Sequence, residues 1–292
     1  MAFHFPTFKT RALTAIVFAI VMLVGLLWNQ WSFIFLFTII HFGCWWEYFK
    51  LIEKINSIKL DVVVKYFFVV MAGIILYYAA FPNVTIDVYA EIAGNRISLK
   101  YLFIGFLILL LMIFISQNKQ VPQQAKWMSF MGFIYITMPI VMMIHLYFVS
   151  VTYHISLHTY FPVIPAAIIF SIWINDTMAY IVGSLIGKTP FSKISAKKTW
   201  EGTIGGAVLC IVIMAFFGLW NKQYSTADKI IIPALCAIFG TLGDLVESKL
   251  KRLAGVKDSG TIMPGHGGFL DRFDSLLIAT PFVWLYVYFF MR

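Results

Sequence analysis

Residues 127–149 read WMSFMGFIYITMPIVMMIHLYFV, a run without a single Asp, Glu, Lys or Arg. A helix needs about 20 apolar residues to cross the hydrocarbon of a bilayer, and no alternation with period two competes for a barrel strand. The run therefore reads as a membrane helix, which satisfies its own backbone N–H and C=O groups where no water is present. Working outward on the same criterion, the chain divides into nine candidate spans, roughly 12–28, 31–46, 66–81, 99–115, 127–149, 163–186, 203–220, 230–247 and 276–291. The expected fold class is an all-α, polytopic integral membrane bundle of about nine transmembrane helices.

Composition agrees. Of 292 residues, 61% are hydrophobic and 12% charged, against about 25% charged in soluble domains, and the mean hydropathy is +0.87. A soluble enzyme, a disordered chain and a collagen-like repeat are excluded by these values. Cys44, Cys210 and Cys236 fall inside apolar runs without metal-ligand spacing and read as reduced packing residues. Lys9 and Arg11 precede the first apolar run, and no small-residue cleavage site follows, so an uncleaved first helix is expected. No internal repeat is visible, which removes the main reason to read two related transporter halves.

The net charge of +9 belongs to membrane orientation and anionic headgroups rather than to nucleic acid. With nine spans, 17 of the 22 Lys and Arg fall on one side, and Arg96, Lys100, Lys222, Lys229 and Arg292 on the other. Because cytoplasmic loops hold the basic excess, the N-terminus is expected in the cytoplasm and the C-terminus outside. The first five spans carry no carboxylate, and their His41, Lys65 and His145 lie near predicted ends or interfaces. Residues 1–126 thus read as N-terminal transmembrane scaffold, and 127–292 as the C-terminal transmembrane region, with its basic loops, in which catalytic residues are to be sought.

Carboxylates inside a membrane are costly and point to function. The second half has Asp176 in the sixth span and Asp244 and Glu247 in the eighth. Asp244, Glu247, Ser248 and Lys251 form one helical stripe, leading from the membrane to the basic side. Beyond it, Ser248 to Asp274 interleaves Lys249, Lys251, Arg252, Lys257, Asp258, His266, Asp271, Arg272 and Asp274 with Gly255, Gly260, Gly265, Gly267 and Gly268. Cations beside carboxylates, with glycines that admit a ligand to the backbone, suit phosphate plus metal, and Mg²⁺ takes one or two carboxylates together with substrate phosphates. A solvated charged loop, and carboxylates satisfied by a neighbouring helix or by Lys251, are the plainer alternatives. Ser248 beside Glu247 is no nucleophilic dyad, since sequence neighbours point to different sides of a helix. Gly183 with Gly187, and Gly202 with Gly206, have the spacing of close helix packing.

Ser248-Lys249-Leu250-Lys251-Arg252, Lys257-Asp258-Ser259-Gly260 and Pro264-Gly265-His266-Gly267-Gly268-Phe269-Leu270-Asp271-Arg272-Phe273-Asp274 resemble the motif of the phosphatidate cytidylyltransferases, or CDP-diacylglycerol synthases. Met263 stands where that pattern carries Leu, Ile or Phe. Asp176-Thr177 with Tyr180 and Gly183, and Lys197-Lys198-Thr199-Trp200-Glu201-Gly202, are similar to the same family, so the resemblance covers about residues 163–291. It implies a nucleotidyltransferase of phospholipid biosynthesis that joins CTP to phosphatidic acid with Mg²⁺ and releases pyrophosphate. It also implies a homodimer in the inner (plasma) membrane. Position by position it makes Asp244 and Asp271 the metal-ligand candidates. Lys197, Lys198, Lys251, Arg252, Lys257 and Arg272 become candidates for holding phosphates, with Ser248, Gly267 and Gly268 beside the substrate. His266 stands open between binding phosphate, donating to the leaving group and ordering the loop. Asp176 is open between a second cation and a polar helix contact. The rival readings are another CTP-using lipid enzyme such as a polyprenol kinase, an ion-coupled secondary transporter and a non-enzymatic lipid-binding scaffold. CTP is soluble and phosphatidic acid presents its headgroup at the interface, so the site is expected at the cytoplasmic helix ends.

Overall fold

The computed structural model describes residues 5–81, 89–92, 95–98, 105, 121–154, 162–192, 194–195, 198–216, 224–262 and 267–291. Its helices are α1 (Phe5–Leu27), α2 (Gln30–Asn56), α3 (Val62–Ala80), α4 (Gln123–Gly132), α5 (Met138–His154), α6 (Val163–Ile186), α7 (Trp200–Phe216), α8 (Thr226–Leu253) and α9 (Leu270–Phe289). A π-helical turn, Phe133–Thr137, joins α4 to α5, so the decisive run 127–149 is one continuous span with a local bulge. Eight of the nine expected spans lie on these helices; the span at 99–115 falls outside the described residues except for Gly105. The chain is thus a multi-pass, all-α membrane bundle. By length and composition, five described helical segments suffice to cross a membrane, α4 and α5 counting as one with the turn between them, and α1 and α7 contribute shorter apolar helices. One feature has no counterpart in the sequence reading, an antiparallel ribbon of β1 (Tyr89–Ile92) and β2 (Asn95–Ser98).

Polar side chains end the helices where the hydropathy stops. Asn29 and Ser32 close a capping box at α2, with Ser32 N–H donating to Asn29 Oδ1 at 2.8 Å. Ser225 and Asp228 do the same for α8. At the other end of α8, Gly255 takes φ +66°, so Val256 N–H can turn back to Lys251 C=O at 2.9 Å. That left-handed residue turns the chain from α8 into the loop leading to α9.

The closest pairings are α6 with α7 and α8 with α9. A Cβ at Gly206 would enter the Ala179 backbone, and one at Gly202 would meet Ala179 O and the Gly183 Cα. These small residues therefore serve close packing, as their spacing predicts. Across the bundle, α2 anchors an aromatic core in which Trp45 packs on Phe49, Phe68 and Phe133. His41 is buried and paired with Thr137 Oγ1, which also accepts from Trp45 Nε1 at 3.0 Å. The cysteines are free and buried, as packing residues should be.

Contacts sort the helix ends into two groups. Glu47 of α2 meets Ser259 and the first turn of α9 at one end, whereas Asp228–Tyr286 and His145–Trp284 meet at the other. The basic loops are expected to face the cytoplasm. A single cysteine at Lys257 should therefore resist an impermeant thiol reagent in intact cells, and one at Glu91 should react. Labelling at 257 with none at 91 overturns this orientation. The three native cysteines are buried and give a low background.

Candidate active site

The stripe expected on α8 is assembled as spaced. Ser248 Oγ donates to Asp244 Oδ1 at 3.2 Å, and Lys251 Nζ lies 2.5 Å from Glu247 Oε2. Lys251 also donates to Asp271 Oδ1 of α9 at 2.6 Å, tying the last turn of α8 to the first turn of the antiparallel helix. Asp244 forms an ion pair with Lys198. The segment carrying Lys198 is shaped by its own backbone. Phe191 N–H bonds Lys198 C=O at 2.8 Å and Trp200 N–H bonds Thr189 C=O at 3.0 Å. Glu201 accepts from the Lys188 and Thr189 N–H groups and from Thr189 Oγ1.

Asp271 is the most constrained acid of the group. Its Oδ2 accepts from Gly268 N–H at 2.7 Å, from Ser259 N–H at 2.9 Å and from Ser259 Oγ at 2.9 Å. Gly267, with φ +82°, turns the chain so that Gly268 can make this contact. Asp274, one helical turn on, is buried and accepts from Ser275 N–H at 2.6 Å. Asp244, Glu247 and Asp274 each bring a carboxylate oxygen within 4.8 Å of the other two. Glu247 is fully buried, and its Oε1 has no hydrogen-bond partner.

These residues border a cavity of about 800 Å³ between α6, α8, α9 and the loops before α7 and α9. Of the sequence candidates, Lys198, Asp244, Lys251, Lys257, Gly267, Asp271 and Arg272 line it. Asp176 lines it as well. Ser248 and Gly268 do not, but each holds a lining carboxylate, Asp244 and Asp271 respectively. Arg252 is exposed, with Nη1 on Val256 C=O at 3.1 Å. Lys197 and His266 lie outside the described residues.

Among the described residues the lining holds five carboxylates, Asp176, Asp244, Asp258, Asp271 and Asp274, against four cations, Lys198, Lys251, Lys257 and Arg272. Glu247 adds a further acid directly behind it. The acids outnumber the cations, and buried negative charge is expensive unless a cation offsets it. The acidic excess, concentrated at Asp244, Glu247 and Asp274 with an unpartnered buried oxygen among them, fits a divalent cation bound by oxygen ligands. Asp274 was visible in sequence only as one more acid of the polar stretch; its i+3 spacing from Asp271 was the available signal. Glu47 and Ser259 escaped as site-forming residues altogether.

The membrane helices thus converge at one end on a cavity of interleaved acids and cations. Residues 9–290 match the profile of the Cytidylyltransferase family, and the chain belongs to that family. Part of the chain is 47% identical over 115 residues to the phosphatidate cytidylyltransferase of Bacillus subtilis (strain 168), covering 39% of this chain and 43% of that protein. It is 45% identical over 119 residues to the phosphatidate cytidylyltransferase of a Synechocystis species, 40% of each chain. With phosphatidate cytidylyltransferase 4, chloroplastic, of Arabidopsis thaliana the identity is 42% over 114 residues, 39% of this chain and 29% of that one. The aligned stretch thus spans less than half the length of each of these relatives.

Proposed function

We propose that this protein transfers the cytidylyl group of CTP to phosphatidic acid, giving CDP-diacylglycerol and pyrophosphate. The observation that carries this reading is the joining of the Asp244–Glu247–Asp274 acids to the cations Lys198, Lys251, Lys257 and Arg272 in one cavity at the ends of membrane helices. The relatives' name and the signature residues point to the same pair of substrates.

Chemically, the lipid phosphate needs no protein base. A phosphate monoester has a second pKa of about 6 and presents a dianionic oxygen near neutrality. That oxygen attacks the α-phosphorus of CTP; the new O–P bond forms as the bond from the α-phosphorus to the bridging oxygen breaks, and pyrophosphate leaves with that oxygen. Lys198, Lys251, Lys257 and Arg272 bind and orient the phosphates and offset charge on the transferring and leaving groups. Lys197 and Arg252 retain the phosphate role implied by their motif positions, His266 stands open between binding phosphate, donating to the leaving group and ordering the loop, and Gly267 and Gly268 shape the turn that holds Asp271. Asp244 is the proposed anchor for Mg²⁺. Asp274 and Glu247 would complete its carboxylate group, and Asp271, whose Oδ1 is paired with Lys251, is the further ligand that the family motif implies. Bound there, Mg²⁺ supplies Lewis-acid stabilisation of phosphoryl oxygens. Asp176 is the acid available to a second cation. The basic-residue distribution supports a plasma (inner) membrane protein with its N-terminus and active site in the cytoplasm, and the family resemblance supports a homodimer.

Purified protein in detergent, given phosphatidic acid, Mg²⁺ and each nucleoside triphosphate in turn, should form nucleotide-linked lipid and pyrophosphate with CTP. Release of CDP with a phosphorylated lipid would make it a kinase instead, and nucleotide-free uptake into proteoliposomes would make it a transporter. Within this reading, changing Lys197 and Lys198 to Gln should raise the KM for CTP by about tenfold or more. Changing Lys54 and Lys59, which carry the same charge in the last turn of α2 and just beyond it, should leave it near the wild-type value. Equal small effects of the two pairs would reduce Lys197 and Lys198 to orientation charges.

A further inference from the structure

Most acids away from the cavity have evident structural work. Glu53 pairs with Lys65, Asp61 caps α3 and Asp228 caps α8 and accepts from Tyr286. Glu47 does not fit that pattern. It lies on α2, in the segment expected to be scaffold, is only 1% exposed, and forms no ion pair with a described Lys or Arg. Its Oε2 accepts from Leu270 N–H at 2.9 Å and from Ser259 Oγ at 2.7 Å, while Oε1 is buried without a hydrogen-bond partner.

The loop is built to receive this carboxylate. A Cβ at Gly260 or at Gly268 would collide with it, and one turn back on the same face of α2 a Cβ at Gly43 would collide with the Phe269 ring. Three missing side chains thus let α2 and the loop close together, and two of the signature glycines make room for a protein carboxylate. The Ser259 hydroxyl also lies 2.9 Å from Asp271 Oδ2. It has one proton to donate, and it stands between two carboxylates.

We propose that Glu47 is a positioning residue: it holds Ser259 and Leu270 against α2 and, through Ser259, fixes the carboxylate of Asp271 that Lys251 grips from the other side. A buried acid without a cation is a poor choice for stability, and an apolar residue of equal volume packs at lower cost. Its value lies in the two polar contacts. The activity arm of the test rests on the cytidylyl-transfer reading; the exchange arm does not.

The test uses the full chain in detergent with Glu47→Gln, Glu47→Met and Ser259→Ala, followed by hydrogen exchange of the 256–271 peptides and by initial rates with CTP. Glu47→Gln keeps a carbonyl acceptor, and its loop exchange and kcat should stay near wild type. Glu47→Met keeps the volume alone, and should raise loop exchange and lower kcat by about tenfold or more with α3 peptides unchanged. Unchanged loop exchange in Glu47→Met, or Met serving as well as Gln, overturns the proposal, because a packing role would be met by either. Should Glu47→Met loosen the whole protein, Ser259→Ala decides, since it removes one oxygen without touching α2. A rise confined to the loop supports the clamp and no rise overturns it. A wild-type protein inactive with CTP would sink the proposed function, while the exchange comparison still judges the clamp.

Discussion

Asp244→Asn is expected to cut CTP-dependent turnover about a thousandfold, the equivalent of about 4 kcal/mol in the transition state, while the protein stays folded in detergent. The substitution keeps the size of the side chain and removes its charge. Asp244 retains 28% of its side-chain exposure, and its described partners are Lys198 and Ser248, so the fold loses little when the charge goes. The carboxylate group with Glu247 and Asp274 loses its most accessible member. Asp271→Asn should be similarly inactive. Residues that act as a unit are not additive, so the double variant should be little worse than either single one. Initial rates across a Mg²⁺ titration check this. Wild-type turnover at low Mg²⁺ in either single variant removes that residue from the metal-ligand set.

The bundle was legible because hydropathy reports directly on lipid exposure, and the stripe Asp244–Glu247–Ser248–Lys251 because helical spacing puts those side chains on one face. Lys198 and Asp271 reach that stripe from other segments. The signature placed them there by resemblance, since periodicity carries no information across a loop. Glu47 shows where sequence reading stops. The second span was drawn to end at residue 46, which leaves Glu47 looking like an ordinary interfacial acid, and its partner Ser259 is 212 positions away. The helix in fact continues to Asn56, so Glu47 lies well inside it. Gly260 and Gly268 were read as openings for a ligand for the same reason; only the folded chain shows that a carboxylate occupies the space. The π turn at Phe133–Thr137 likewise lies among tertiary contacts, with Thr137 hydrogen-bonded to His41 and accepting from Trp45 of another helix.

Lys251 should prove the most costly cation to remove, for a reason separate from substrate. Its ammonium faces Glu247 at 2.5 Å and Asp271 at 2.6 Å, with partner side chains 0% and 6% exposed. Lys251→Met preserves length and removes the charge, leaving both acids without their cation, and breaking a buried pair from one side costs about 3–5 kcal/mol. A thermal midpoint several degrees lower is therefore expected, together with loss of turnover. Adding Glu247→Gln eliminates one of the stranded charges and should recover much of the stability, yet activity should stay lost because the proposed phosphate contact is still missing. Mg²⁺ provides a second check: a cation that binds the folded state stabilises it by mass action, and the stranded acids of Lys251→Met should gain more from millimolar Mg²⁺ than the wild type does. If Lys251→Met melts with the wild type and gains nothing more from Mg²⁺, the acids are screened by something other than Lys251, and its role reduces to holding phosphate.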